Sequence, residues 1–305
     1  MSSINTNFSA MTALQSLNMT NKKMDATQQA ISTGFRVNDA KDNAAYWSIA
    51  TTMRSDNKAL STVQDALGLG AATIDVASTG IKAAIDVTDE IKKKLVAARE
   101  PGIDRVKVQS EITELQSQLS SIATSASFSE ENWLSVDSGD AGYNATKSVV
   151  SSFDRSSSGV SIGTIDIDIS TTELFDAADQ SGILDQTRTD GGGSFTIATL
   201  DISALTDVAA DLTTLEGFIS GVDAGIEEMT TAATNLGAVS SRIDIQTDFV
   251  SNLMDAIDRG VSALVDADMN KESVKLQALQ VQQQLGIQAL SIANGNSQSI
   301  LSLFR

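Results

Sequence analysis

The sequence predicts a mainly α protein, a long antiparallel coiled-coil helical hairpin with its terminal helices paired and a small β insertion at the distal end. Two observations predict this class. Apolar residues recur every seven positions in both halves of the chain, which is the repeat of a coiled coil. The 305 residues include one proline, and aromatic residues make up only 4% of them. Long unbroken helices are therefore possible, and a core rich in aromatic rings is not expected.

The N-terminal half carries the first heptad series. Beginning at Leu60, a spacing of seven gives Leu60, Leu67, Ile74, Ile81, Thr88 and Leu95. Small or apolar residues stand three positions after these residues, from Val63 to Ile91. The single proline, Pro101, precedes Gly102, and this pair predicts a turn between two helices.

The C-terminal half carries the longest series, eight apolar residues at spacing seven from Leu215 to Leu264. It predicts one helix of about 80 Å at the usual rise per residue. The expected flanking partners lie three positions earlier, at Leu212, Ile219, Ile226 and Ala233. The predicted coiled-coil core of the two series contains Leu67, Ile74, Ile81, Leu236, Ile243, Val250 and Ile257.

Residues 137–205 interrupt the helical pattern with glycines and with alternating apolar and polar residues. Alternation from Val160 to Ile169 predicts a strand, and Phe195 to Ile202 suggests another. The predicted domains are therefore three. Residues 1–43 and 266–305 form a terminal domain, residues 44–136 and 206–265 a coiled-coil domain, and residues 137–205 a variable β-rich region.

The terminal segments have weaker apolar patterns and are marginal as isolated helices, because helix stability comes mainly from packing. We expect both to be disordered in the free subunit and to fold on assembly. The apolar residues assigned to packing between subunits are Leu17, Met24, Ile31, Leu285, Leu290, Leu301, Leu303 and Phe304.

The distribution of charge fits assembly through the ends. The formal net charge is −18, but residues 1–60 hold six basic and four acidic groups, and residues 266–305 hold three of each. Residues 137–205 hold three basic and eleven acidic groups. Near-neutral ends can crowd together at low electrostatic cost, whereas the acidic middle is expected to face solvent. No nucleic-acid partner is expected, since phosphates require clustered Lys and Arg.

The residue types argue against an enzyme. With no histidine and no cysteine, the chain lacks the usual nucleophile relays and zinc ligands. Gly68-Leu69-Gly70 lacks the third glycine of a dinucleotide loop, and Asp166 with Asp168 is more typical of a solvated strand than of a calcium site. We predict no catalytic, cofactor-binding or metal-binding residues, and no apolar run predicts a membrane contact.

Two segments resemble a known family. Residues 32–45, Ser-Thr-Gly-Phe-Arg-Val-Asn-Asp-Ala-Lys-Asp-Asn-Ala-Ala, resemble the N-terminal signature of the bacterial flagellins. Val265-Asp266-Ala267-Asp268-Met269 and the closing Ile300-Leu301-Ser302-Leu303-Phe304-Arg305 resemble flagellins of the rhizobial, alphaproteobacterial type. The resemblance covers roughly residues 1–136 and 206–305.

The resemblance implies a structural subunit that polymerises into the extracellular flagellar filament for swimming motility. Its implied partners are copies of itself, the type III export apparatus and its chaperone, the filament cap and the hook-associated proteins. Whether the filament contains this subunit alone or related flagellins as well stays open from the sequence. The closest alternative is a hook–filament junction protein, whose motif usually has a proline after the paired acids, unlike Asp42-Asn43-Ala44-Ala45 here. A coiled-coil adhesin and an enzyme are more distant alternatives.

Some residues depart from the family pattern. Ala30, Phe35 and Asn43 alter the segment that plant flagellin receptors recognise, and Ile91 occupies a place where an arginine usually contributes to recognition by the animal Toll-like receptor. We expect both receptors to respond poorly to this chain.

Overall fold

The computed structural model describes residues 7–156, 159–190 and 193–303. Its α-helices are α1 (Phe8–Thr33), α2 (Ala44–Ala98), α3 (Arg105–Ser125), α4 (Ala209–Val265) and α5 (Met269–Leu303). The predicted mainly α class is confirmed, because long helices at both ends flank a smaller region that contains strands. None of the described helices is long and apolar enough to cross a membrane.

The chain divides into two compact units. One combines Met1–Lys58 with Met254–Arg305, and the other is Ala59–Leu253. Both boundaries fall inside α2 and α4, within the predicted coiled-coil segments. The three-domain division made from the sequence stays a prediction.

In the second unit, α2 and α4 run antiparallel. Lys92 pairs with Asp223 and Arg99 pairs with Glu216, so seven residues forward along α2 correspond to seven residues backward along α4. These ion pairs are largely exposed and contribute little stability. The buried seam carries the stability, since burying each aliphatic side chain stabilises by roughly 1.5–3 kcal/mol. The seam contains Leu67, Ile74, Ile81, Leu215, Val222, Met229, Leu236, Ile243 and Val250.

The flank of the α4 seam differs from the sequence expectation. Leu212, Ile219, Ile226 and Ala233 are only half-buried. The buried flank lies three residues after each heptad position instead, at Phe218, Gly225 and Ala232. The strand-containing region covers that side of α4, and the rings of Phe195 and Phe218 lie 4.6 Å apart.

Short strands connect the helices of the second unit. They are β1 (Ser127–Phe128), β2 (Glu131–Asn132), β3 (Ser135–Val136), β4 (Thr146–Ser156), β5 (Gly159–Asp168), β6 (Phe175–Asp176), β7 (Arg188–Asp190) and β8 (Gly193–Phe195). The long hairpin β4–β5 is antiparallel, with a register shift between Val150 and Ser152. The pair β3–β6 is parallel.

The second predicted strand is wrong beyond Phe195. Ile197–Thr199 is a 3₁₀ helix, and two glutamines of α3 bind the backbone around it. Gln116 Nε2 donates to Ile197 O at 3.0 Å, while Gln109 Oε1 accepts from Ile202 N at 2.9 Å. Side-chain amides thus replace the strand partner that this segment would otherwise need.

Glycines of α2 and α4 admit the apolar side chains of this region. A Cβ atom on Gly70 would overlap Val149, and one on Gly80 would overlap Leu134. On α4, Gly221 faces the Phe195 ring and Gly225 faces Ile197 in the same way. The strand-containing region therefore packs along the two helices at positions where a side chain is missing.

These contacts predict opposite effects for two substitutions on α4. Gly221→Ala should lower the free energy of unfolding by about 1–3 kcal/mol, because the new methyl group collides with the Phe195 ring. Gly237→Ala should raise stability by about 0.5–1 kcal/mol, since nothing lies within 4 Å of its Cβ position and alanine favours the helix. Thermal unfolding followed by circular dichroism measures both changes, and equal effects of the two would contradict this packing.

Candidate assembly surface

The terminal helices α1 and α5 pair within the first unit. Asn7 Oδ1 accepts from Ala10 N at 3.0 Å and begins α1, while Asn7 Nδ2 donates to Ala293 O near the other end of the chain at 2.9 Å. Gln283 Nε2 donates to Asn21 Oδ1 at 2.9 Å. The Leu17 side chain packs at Gly286. These contacts define an antiparallel pair.

A short non-helical joint connects this pair to α2 and α4. Gly34 ends α1 in the left-handed conformation, with φ 76°. Arg36 N donates to Val265 O at 2.7 Å, and Ala267 N donates to Gly34 O at 2.8 Å. Asp268 Oδ1 accepts from Asn270 N and Lys271 N and begins α5. Both chain segments therefore leave the helical conformation at the same level.

A small apolar cluster supports the joint. Its buried members are Val37, Ala50, Val261 and Val265, with Phe35, Met53, Ile257 and Leu264 packed around them. The Arg54 guanidinium lies 4.7 Å from the centre of the Phe35 ring, which fixes the aromatic side chain by a cation–π contact. Ile257, predicted for the coiled-coil core, thus belongs to the cluster of the first unit and is half-buried.

Charged groups at the joint are solvated. Lys41 Nζ donates a hydrogen bond to Asp39 Oδ2 at 3.0 Å, and this contact raises the pKa of the exposed Lys41 side chain. Asp42 Oδ2 accepts from Asn38 N and Asp39 N, each at 3.1 Å, and so shapes the loop.

The three lysines Lys92, Lys93 and Lys94 of the second unit all form ion pairs with acidic side chains of their own chain.

The α1–α5 pair buries little of its apolar surface. Of the described side chains, only Thr27 is buried in α1, and only Leu279 is buried in α5. Many large apolar side chains of the two helices are exposed, and we call them the terminal apolar surface. It consists of Phe8, Met11, Leu14, Met19, Met269, Val274, Val281, Leu285, Ile287 and Ile292. So many exposed apolar side chains on two helices mark an interaction site.

The residues predicted for packing between subunits divide into two groups. Leu17, Met24, Ile31 and Leu290 are half-buried, whereas Leu285 is 57% exposed. Phe304 and the side chains of Leu301 and Leu303 lie outside the described part of the structure. Sequence reasoning missed most of the terminal apolar surface because it followed one apolar stripe on each helix. Apolar residues on the other faces of α1 were the available signal, since a helix that is apolar all round is normally covered.

The receptor-segment residues have structural roles of their own. Asn43 Oδ1 accepts from Ala45 N and Tyr46 N at 3.1 Å and begins α2. Ala30 is half-buried, as is Phe35 beneath Arg54. Ile91 is fully buried in the second unit, so its side chain is inaccessible in the folded subunit. The weak receptor response stays a prediction.

Long paired helices whose terminal pair leaves its apolar side chains uncovered are typical of a structural subunit that assembles with copies of itself. Residues 4–138 match the model of the bacterial flagellin N-terminal helical region, and residues 219–304 match the C-terminal helical region. The chain is 51% identical to Flagellin C and 45% identical to Flagellin A of Rhizobium meliloti (strain 1021). It is 45% identical to the Flagellin of Brucella melitensis biotype 1. Each comparison covers the whole of both chains.

The chain belongs to the bacterial flagellin family. It is a structural subunit of the flagellar filament that polymerises with itself, and it is not an enzyme. The rhizobial, alphaproteobacterial type predicted from its two ends is confirmed. No finding favours the hook-associated alternative.

Proposed function

We propose that the terminal apolar surface is the polymerisation surface of this filament subunit, and that α1 and α5 complete their folding when neighbouring copies cover it. The observation that carries this proposal is the exposure of Leu285 and the other apolar side chains of the pair. At roughly 25 cal/mol per Å² of buried apolar area, covering the ten side chains of this surface contributes substantial free energy to assembly.

Helix pairing alone leaves these segments weakly stabilised. Their shared core contains few fully buried side chains, and isolated helices of this kind are marginal in water. Coupling their folding to assembly restricts polymerisation to sites where several copies already stand side by side. Leu17, Met24, Ile31 and Leu290 then hold the pair together, while the exposed residues contact other subunits.

We also propose the finer partners that membership of the family suggests. The subunit is exported unfolded through the flagellar type III apparatus with a chaperone, is added beneath the filament cap, and forms an extracellular filament that joins the hook-associated proteins. Related flagellins copolymerise with it. The absence of cysteine is compatible with this route, because no disulfide would have to be broken before export.

Two neighbouring substitutions on α5 test the polymerisation surface. Leu285→Asp should raise the critical concentration for polymerisation at least about tenfold, because a charge replaces an apolar contact at the cost of 1.4 kcal/mol or more. Gln284→Asp adds the same charge at an exposed polar position next to it and should change the critical concentration much less. Sedimentation of polymerised protein measures both.

Circular dichroism of the monomers provides the control for these variants. The helical content of Leu285→Asp should equal that of the parent, since the Leu285 side chain is 57% exposed in the subunit. Filaments formed by Leu285→Asp at the parent's critical concentration would overturn the proposed surface.

A further inference from the structure

Residues 169–186 hold the segment from Leu134 to Tyr143 in the second unit. Leu174 N donates to Leu134 O at 2.8 Å, and Ala177 N donates to Val136 O at 3.0 Å. Leu134 and Leu174 are fully buried. We call residues 169–186 the clasp.

A buried carboxylate lies at the centre of this contact. The Glu173 side chain is only 2% exposed, contrary to the expectation that the acidic middle of the chain faces solvent. The Tyr143 hydroxyl donates a hydrogen bond to Glu173 Oε1 and connects the clasp to the segment that it holds. Burying an ionised carboxylate is costly unless a cation or several donors compensate it.

The charged groups that act on Glu173 are negatively charged carboxylates. Burial raises the pKa of Glu173; the Tyr143 hydrogen bond partly offsets this, and the negative charges of Asp176, Asp179 and Asp168 raise the pKa further. Burial and the bond to Glu173 also raise the pKa of the Tyr143 hydroxyl, which therefore stays protonated and continues to donate.

Basic side chains of the region are engaged elsewhere. Residues 137–205 contain three of them. Lys147 Nζ lies 3.5 Å from Glu131, the Arg155 guanidinium lies 5.9 Å from the centre of the Phe153 ring, and Arg188 pairs with Glu228. The ionised form of Glu173 is therefore poorly compensated.

A second carboxylate of the clasp behaves similarly, and a third behaves in the opposite way. Asp185 Oδ2 accepts from Asp176 N at 2.8 Å, while its buried Oδ1 accepts no hydrogen bond. Burial raises the pKa of Asp185. Burial also acts on Asp176, but hydrogen bonds from Ser138 N and Ala178 N outweigh it and hold the pKa of Asp176 well below its ordinary value.

We propose that the clasp is a proton-responsive element of the subunit, closed on residues 134–143 when Glu173 is protonated and loosened when Glu173 ionises. A protonated Glu173 keeps its contact with Tyr143 without a buried charge. Ionisation places a negative charge among three aspartates in a site with little water. The flagellin subunit thereby gains a local stability that depends on the acidity of its surroundings.

The sign of the pH dependence follows from linkage. Because Glu173 has a higher pKa in the folded than in the unfolded chain, its contribution is fully present below the unfolded pKa of about 4.3. It is lost as the pH rises through the folded pKa. Asp176 acts in the opposite sense, but only as the pH falls below the ordinary aspartate pKa of about 3.9. Measurements at pH values above about 4.5 therefore report on Glu173, with little contribution from Asp176.

Hydrogen exchange of the full-length monomer, analysed by mass spectrometry, tests the proposal. Protection of residues 134–143 and 169–186 is measured from about pH 4.5 to about pH 8 and corrected for the intrinsic exchange rate. Protection should fall as the pH rises, with a limit of about tenfold per pH unit for one proton. Glu173→Gln, which cannot ionise, should make protection independent of pH in this window, apart from the contribution of Asp185. Asp154→Asn removes an exposed strand carboxylate and should behave like the parent.

A second variant keeps the test decisive if Glu173→Gln fails to fold. Tyr143→Phe removes the donor that favours the ionised form, so the decline should extend to higher pH and the total loss of protection should be larger. Parent protection that stays constant or rises with pH would overturn the proposal. The proposal would also be overturned if the folded Glu173→Gln variant showed the same pH dependence of protection as the parent. The same holds if Tyr143→Phe left the pH dependence of protection unchanged.

Discussion

Deleting residues 1–40 or residues 270–305 should abolish filament formation and leave a soluble helical monomer. Either deletion removes one member of the α1–α5 pair and leaves the other without its antiparallel partner. The terminal apolar surface then loses its geometry on both helices, so that neighbouring copies no longer find a matching contact. Electron microscopy and sedimentation at concentrations where the full-length chain polymerises measure the result.

The remaining protein supplies the control for the deletions. The second unit, Ala59–Leu253, lies entirely between the deleted segments and has its own buried seam. Trp133, which is buried in that unit, should keep its fluorescence; it is measured in a Trp47→Phe background, because Trp47 is the other tryptophan of the chain. Truncated protein that still forms normal filaments would contradict the role of the ends, and a change in Trp133 fluorescence would show that the deletion also disturbs the second unit.

Replacing Ile243 by aspartate should destabilise the second unit by at least about 3 kcal/mol. The Ile243 side chain is 1% exposed in the seam between α2 and α4, so a carboxylate there would lose its contact with water. Thermal unfolding followed by circular dichroism should show either a strongly lowered Tm or a chain that is unfolded at room temperature.

Ile245 offers a matched control two residues along the same helix. Its side chain is 67% exposed, so Ile245→Asp adds the same charge to α4 without burying it. Its effect on the monomer should be less than about 1 kcal/mol, the range of surface substitutions and of helix propensity. Equal melting of the two variants would contradict the assignment of Ile243 to the core.

The long helices and the strand-containing region differed in how readily their structure could be predicted. Spacing of seven from Leu215 to Leu264 predicted one long helix, and α4 extends over Ala209–Val265. This periodicity is a local property, since each residue's place on a helix depends only on its distance along the chain. The Ile197–Ile202 segment was misassigned as a strand because its conformation depends on Gln109 and Gln116, which lie far away in the sequence.

The candidate site shows the same division. One apolar stripe on each terminal helix was visible in the sequence, yet the pattern could not say which residues face the partner helix and which remain open. That choice depends on where α5 lies against α1, which contacts such as Leu17 at Gly286 fix. The sequence likewise indicated an acidic middle, but Glu173 is buried where residues 169–186 contact the distant segment 134–143, and it accepts a hydrogen bond from Tyr143 there.

By itself the sequence determined the helical class, the two heptad series and the membership of the flagellin family, because all three are carried by residue order and spacing. Tertiary structure alone decided that glycines of α2 and α4 receive the side chains of the strand-containing region, that the α4 seam is flanked by Phe218, Gly225 and Ala232, and that a carboxylate is buried beside Tyr143. Each of these depends on contacts between residues distant in sequence, and the energies of such contacts are set by packing and desolvation rather than by local pattern.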